Sequence, residues 1–164
     1  MPSELAFRAE HILREQRDLY GYWRSCAPPK AIPSRYDIDP VNIPHLLPWL
    51  SLLDAGEDLT ALRYRLAGTR VREIYGTEIT GRAVFDTGLQ HKRDYWLSVY
   101  WKVVKEQTPM QGAVRGPISG REHVVLIWMR LPLRGLSGAI ERVLGYDAAL
   151  PARIQLSLPR NEMR

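Results

Sequence analysis

The residues able to do chemistry in this chain are few and scattered. His11, His45, His91 and His123 are its only histidines. No two stand at the i, i+4 spacing that would set two imidazoles on one helix face as metal ligands. His91, near the start of a long helical run, is the one candidate for haem ligation. Its neighbours Gln90, Lys92, Arg93 and Asp94 are polar, whereas such a ligand needs an apolar, buried setting. Cys26 is the only cysteine, so neither a disulfide framework nor a thiolate metal cluster forms within one chain. Arg24 and Lys30 lie near it, and positive surroundings activate a thiol. It precedes the body of the fold, however, and a small residue at a helix end is a simpler reading than a flavin-reactive or redox thiol. Ser119 and Ser137 lack a nucleophile elbow. Asp37 and Asp39 sit on a Pro-rich connector and read as turn formers. "GPISGRE" lacks the Lys and Ser/Thr of a phosphate loop and reads as a hairpin turn. No catalytic residue and no metal site are expected.

The elements that would position these residues follow from periodicity. Ser3 to Ser25 reads as a helix capped by Ser3, with Leu5, Ile12 and Leu19 at heptad spacing and Leu13, Tyr20 and Trp23 beside them. Glu10, Arg14, Arg17 and Asp18 form its wet face. "APPKAIP" stops it, because proline removes donors and disfavours helical geometry before it. Asp39-Pro40 suits a helix start, and a short helix is expected over Val41–Leu47. "PWLSLLDA" and "LRYRLAG" read as a hairpin, with Leu62, Tyr64 and Leu66 on one face and Arg63 and Arg65 on the other. After Gly68, Val71, Ile74 and Tyr75 share a helix face that Thr69 caps and Gly76 ends. A longer helix from Leu89 to Gln107 buries Trp96, Val99, Tyr100 and Val103. Three strands close the chain: "MQGAVRG", "HVVLIWMRLPL" and "GAIERVLGYDAAL", the last ending near Asp147. The middle one is apolar on both faces and therefore needs cover on both sides.

The 164 residues suit one domain with terminal extensions. Residues 1–30 form the N-terminal helix and Pro-rich connector, 31–150 the domain body, and 151–164 a tail. The net charge of +5 comes from 23 Lys and Arg against 18 Asp and Glu with no run of five like charges. Nucleic-acid binding, suggested only by this charge and by Arg63, Arg65, Arg70 and Arg72, is therefore disfavoured. No stretch approaches the roughly 20 apolar residues of a membrane span, and no signal peptide is visible. A cytoplasmic location without membrane contact is expected.

The order helix, β-β, short helices, a longer helix, then β-β-β is an α+β plan with one antiparallel sheet. It resembles the PAS domain fold. "IYGTEITGR" looks like that family's aromatic-Gly, acidic-apolar-small-Gly-Arg run, here Tyr75, Gly76, Glu78, Ile79, Gly81 and Arg82. "IPSRYDIDP", "LPWLSLLD" and "RYRLAGT" in that order are similar to a family of bacterial single-domain PAS-like proteins, over roughly Leu19 to Asp147. The resemblance implies a five-stranded antiparallel sheet with helices on one face and a long N-terminal helix. It also implies a non-enzymatic sensory or regulatory module that acts by small-molecule sensing or protein–protein contact.

On that reading, Tyr64, Leu66, Tyr75, Ile79, Phe85, Trp96, Tyr100, Val125, Ile127 and Met129 are the expected lining of a pocket for a small apolar or aromatic ligand. Dense core packing is the competing account of the same residues. Leu5, Ile12, Leu19 and Trp23 are the expected homodimer interface. A signalling protein is the expected further partner, since the chain has no room for an output domain. The cofactor is unknown, and neither haem nor flavin is expected. The first rival is a small α+β enzyme with a cone-shaped, ketosteroid-isomerase-like pocket, which would need a carboxylate or His in the cavity.

Overall fold

Residues 4–152 are described in the computed structural model of the chain, except for the side chains of residues 4–7 and of Gln90. The expected cap at Ser3 and the tail from residue 153 lie outside the described residues. Five strands, β1 (Leu50–Asp54), β2 (Arg63–Ala67), β3 (Met110–Arg115), β4 (Val124–Arg134) and β5 (Ile140–Pro151), form one antiparallel sheet in the order β2-β1-β5-β4-β3. β5 thus runs past Asp147, because its residues up to Pro151 stay paired with the start of β4.

β4 is buried on both faces, and the two covers have different origins. Leu126 and Trp128 join the cluster under α2 (Thr69–Tyr75), α3 (Arg93–Tyr100) and the intervening loops. Ile127, Met129, Leu131 and Leu133 join the opposite cluster, with Leu19 and Trp23 of α1 (Glu4–Ser25). α1 is also held by polar links. The Gln16 amide donates to the Trp128 carbonyl at 3.1 Å, and the Trp23 indole to that of Pro132 at 3.0 Å. The Tyr146 hydroxyl donates to Glu15 at 2.6 Å. Glu15 and Gln16 are therefore buried, while Glu10, Arg14, Arg17 and Asp18 are exposed as expected. Burying Ile12, Leu19 and Trp23 contributes roughly 1.5–3 kcal/mol each, as upper values.

The connector is tied back to this helix by Tyr22, whose hydroxyl accepts from the Asp39 backbone N–H at 2.8 Å. Asp39 caps a 3-10 turn at Pro40–Asn42, its carboxylate accepting from Val41 N–H at 3.0 Å. A second 3-10 turn spans Leu47–Trp49. These two turns stand where a single helix over Val41–Leu47 was expected, since Pro44 and Pro48 cannot continue a hydrogen-bonded ladder.

Two further expectations fail locally for physical reasons. Leu52 pairs Leu66 and Leu53 pairs Tyr64, so one residue, Arg65, is extra on β2. This bulge reverses the alternation. Tyr64 faces the helices at 1% exposure, while Leu66 turns to the other face and is 56% exposed. Gly68 has φ −68° and is the N-cap of α2, with Thr69 inside the helix. Its missing side chain is needed for close approach, because a Cβ there would overlap the Leu47 and Pro48 carbonyl oxygens. Gly76, by contrast, ends α2 in the left-handed region at φ 73°.

Gly112 lies opposite Trp128 on β3, and a Cβ there would stand 2.8 Å from the indole ring. Gly112→Ala is expected to cost roughly 1–3 kcal/mol by overpacking. Gly21→Ala, in α1 with nothing within 4 Å of the added carbon, is expected to gain up to about 1 kcal/mol from helix propensity. Urea unfolding of both variants checks the contrast. In the turn after α2, the Glu78 carboxylate accepts from Thr80 N–H at 2.9 Å and from Arg72 at 2.7 Å. The Thr80 hydrogen bonds, followed by Arg72, hold its pKa down at about 2, below an ordinary 4.5. A depressed carboxylate stabilises the fold fully above its unfolded value and loses that contribution as pH falls through the folded value. Glu78→Gln should therefore lower Tm at neutral pH, and the gap from the parent should close between about pH 4.5 and 2.

Candidate functional site

Between the sheet and the helices, α3 and the π-type turn that follows it (Trp101–Lys105) lay Trp96, Val99, Tyr100 and Val103 onto the strands. Beneath them, alternation along β4 puts Trp128 and Arg130 on the helix-facing side. Pairing sets Asp147 opposite Trp128, and Gly145 opposite Arg130. Gly145 makes room for the guanidinium, since a Cβ there would meet Ser51 Oγ at 2.5 Å and Arg130 Nη1 at 3.2 Å.

Arg130 is fully buried and its donors are widely used. Nη2 donates to Asp147 Oδ1 at 2.9 Å, and Nε to the Tyr100 hydroxyl at 3.1 Å. Nη1 reaches the carbonyls of Met129 at 2.9 Å and Tyr146 at 3.1 Å. The guanidinium carbon lies 5.1 Å from the ring centroid of Trp96 and 6.0 Å from that of Trp128, within cation–π range. Trp96 and Trp128 are in turn 5.1 Å apart, and the Trp128 indole donates to the Tyr95 hydroxyl at 2.9 Å. Tyr64 and Tyr75 complete the cluster, their hydroxyls 3.2 Å apart.

Burial pushes the Tyr64, Tyr75 and Tyr100 phenols above their ordinary range, so they remain neutral. Burial also raises Asp147, and the charge and hydrogen bond of Arg130 pull it part of the way back. Burial alone would lower Arg130. Asp147 and the tyrosines outweigh that and keep the guanidinium cationic. Three buried polar atoms have no partner among the described residues: Asp147 Oδ2, Trp96 Nε1 and Ser51 Oγ. Buried polar groups are ordinarily satisfied. This interior thus has an acceptor and donors available to a small polar group.

Of the ten residues expected to line a pocket, Tyr64, Tyr75, Ile79, Phe85, Trp96 and Tyr100 come together in this cluster. Ile127 and Met129 belong to the cluster under α1, Val125 packs against that cluster, and Leu66 faces away through the bulge. Alternation correctly separates the two faces of β4, but the helix-facing set is Leu126, Trp128 and Arg130. Arg130 and Asp147 were missed. Their signal was a lone cation in "HVVLIWMRLPL" and a lone anion in "LGYDAAL". Ile12, Leu19 and Trp23 are buried on the chain's own sheet and do not form an open stripe, and the side chain of Leu5 lies outside the described part.

Neither residue weighed for cofactor chemistry belongs to this cluster. His91 is at the surface, its Nε2 bonded to the Gly116 carbonyl at 2.8 Å. Cys26 packs against the cluster under α1, across the sheet from the aromatic interior. No group of three or more His, Cys, Asp or Glu among the described residues is arranged to hold a metal. Arg63, Arg65, Arg70 and Arg72 are bonded to the Gly81 carbonyl, Asp54, Glu73 and Glu78 respectively, so they do not form a free basic stripe. No helix among the described residues is long and apolar enough to cross a membrane.

Residues 13–147 match the PAS domain family, and the chain belongs to it. No curated protein matches the sequence. Among solved structures, the chain is similar to a cysteine variant of the fungal photoreceptor Vivid, at 16% identity and TM-score 0.51, covering 80% of this chain and 99% of that one. A PAS domain from Colwellia psychrerythraea aligns at 13% identity and TM-score 0.51, over 69% of this chain and 98% of that one. An RNA-binding light-oxygen-voltage receptor aligns at 13% identity and TM-score 0.53, over 77% of this chain, which spans 37% of that receptor. At these identities the structural likenesses establish the fold alone.

The Arg130–Asp147 pair generates a coupling prediction. Removing one member of a buried pair strands the other charge and costs roughly 3–5 kcal/mol, whereas an apolar double replacement is far milder. Arg130→Met and Asp147→Leu should each destabilise strongly, and the double variant should be much less destabilised than their sum. Chemical denaturation of the four proteins measures the cycle, and additive costs would show that the pair is not coupled.

Proposed function

We propose that the chain is a non-enzymatic sensory or regulatory module that recognises a small molecule within the aromatic interior and passes the change to a protein partner. One observation carries this reading: a closed aromatic interior keeps a carboxylate oxygen and an indole N–H unpartnered at zero exposure. A ligand that donates to Asp147 Oδ2 and accepts from Trp96 Nε1 would satisfy both, while its apolar or aromatic body packs on Tyr64, Phe85 and Tyr100. Pockets of this kind are mainly apolar with a few orienting polar groups.

The isomerase-like alternative needs a carboxylate free to take a proton from a substrate. Asp147 is instead clamped to Arg130 and enclosed, which supports binding over proton transfer. A homodimer remains part of the proposal. Since Ile12, Leu19 and Trp23 already pack on their own sheet, a dimer through this stripe takes the form of α1 exchanged between two copies.

Freshly purified full-length protein should be colourless from the near ultraviolet through the visible. On denaturation it should release a small molecule in near-stoichiometric amount, detected by mass spectrometry. Reloading that molecule should change the Trp96 and Trp128 fluorescence, and Asp147→Asn should weaken binding at least about ten-fold, the loss of one charge-assisted hydrogen bond. A protein that releases nothing, and whose fluorescence responds to no metabolite fraction, overturns the small-molecule part. Light scattering showing only monomer at every concentration overturns the dimer.

A further inference from the structure

Across the sheet from the aromatic cluster, an apolar groove of about 230 Å³ runs between the connector and the β1–β2 edge. Its sheet side is Leu50, Leu52 and Leu144, and the connector supplies Ile38 and Ile43. Leu47 and Leu66, 40% and 56% exposed, leave it open on one side. The Arg65 bulge creates this site by turning Leu66 onto the groove face. The three strings "IPSRYDIDP", "LPWLSLLD" and "RYRLAGT", which follow one another within residues 32–69, all contribute to its lining.

The groove leads to cations. Leu50, Leu52 and Asp54 share one face of β1, and Arg142 pairs with Asp54 next to the Leu52–Leu144 pair. Arg35 lines both the groove and an adjoining cleft of about 380 Å³ that also contains Arg134 and Arg142. Two carboxylates oppose these charges. Glu141 lines the cleft, and Asp54 is bonded at 3.0 Å to Arg142 and at 3.0 Å to Arg65. Arg35 and Arg134 have no side-chain hydrogen bond or ion pair among the described residues. Among the described residues, positive charge is therefore in excess at the end of an apolar channel, and two guanidiniums there can bind an anion.

We propose that this groove binds a soluble single-chain amphiphile with an anionic head, of the medium-chain fatty carboxylate type. The chain lies over Leu52 and Leu144 and the head meets Arg35 and Arg134. The groove's volume of about 230 Å³ suits a single alkyl chain, with the adjoining cleft left for its head. Concavity decides for a free molecule over a bilayer surface, which takes a protruding apolar face. Lying on the opposite sheet face, this site is independent of the interior reading, and each can fail alone.

The test uses the isotope-labelled full chain titrated with decanoate and followed by amide NMR. The expected result is saturable shifts at Leu52, Ala67, Gly68 and Leu144, with decyltrimethylammonium at least ten-fold weaker. Arg35→Glu and Leu66→Glu each alter a position that is not buried in the core. Each should weaken decanoate at least ten-fold while leaving thermal unfolding unchanged. Absence of saturable shifts in the parent protein overturns the site without depending on any variant. So do equal affinity for the cationic amphiphile, shifts confined to the aromatic chamber, and binding to anionic phospholipid vesicles without a response to free decanoate. A concentration-dependent dimer that Leu66→Glu abolishes would assign the groove to a second copy instead.

Discussion

A guanidinium and a carboxylate enclosed within a protein must answer each other, since neither can turn to water. Arg130 and Asp147 do so across β4 and β5, and much of the surrounding structure is arranged to allow it. Gly145 leaves the guanidinium a place above the sheet. Trp96 and Trp128 bring ring faces to it, and Tyr100 and two main-chain carbonyls take its remaining hydrogen bonds. One carboxylate oxygen is left over. It is the natural point at which an interior ligand could couple to the sheet, because anything that hydrogen-bonds there alters the environment of the ion pair.

The second constraint is the two-faced apolar strand β4. A sheet with both faces apolar is stable only between two layers. The short helices after β2 form one layer, and α1 forms the other. Trp23, Gln16 and Glu15 give α1 a fixed position on the sheet by bonding to β4 and to Tyr146. Tyr146 precedes Asp147, so the helix docking site and the buried ion pair are neighbours in one strand. That adjacency offers a short physical route between the chamber and the outer layer, with β5 as the shared rigid element.

Much of this was legible in the residues. The heptad spacing of Ile12 and Leu19, the prolines after Ser25, the left-handed Gly76 and the apolar run of β4, broken only by Arg130 before its end, each follow from local rules, and each of these elements formed where expected. The site was legible only in part. Six of the residues expected to line a pocket share one core cluster. Four do not, because alternation says which residues share a face and does not say what each face meets. Leu66 failed for a different reason: a bulge is a property of the pairing between β1 and β2, and nothing in "RYRLAG" by itself requires it.

The sequence by itself determined the α+β order, the family resemblance, the need for cover on both faces of β4, and the absence of a motif with catalytic spacing. These depend on periodicity, turn chemistry and residue type, which act over a few neighbours. Only the tertiary structure decided that Arg130 meets Asp147, that the Ile12–Leu19–Trp23 stripe of α1 packs with residues of the sheet, and that three separate strings build a groove ending at arginines. Those outcomes depend on strand register and on which layer packs on which face. Register and layer are settled by contacts between residues far apart in the chain, at an entropic cost of closure that no local pattern encodes.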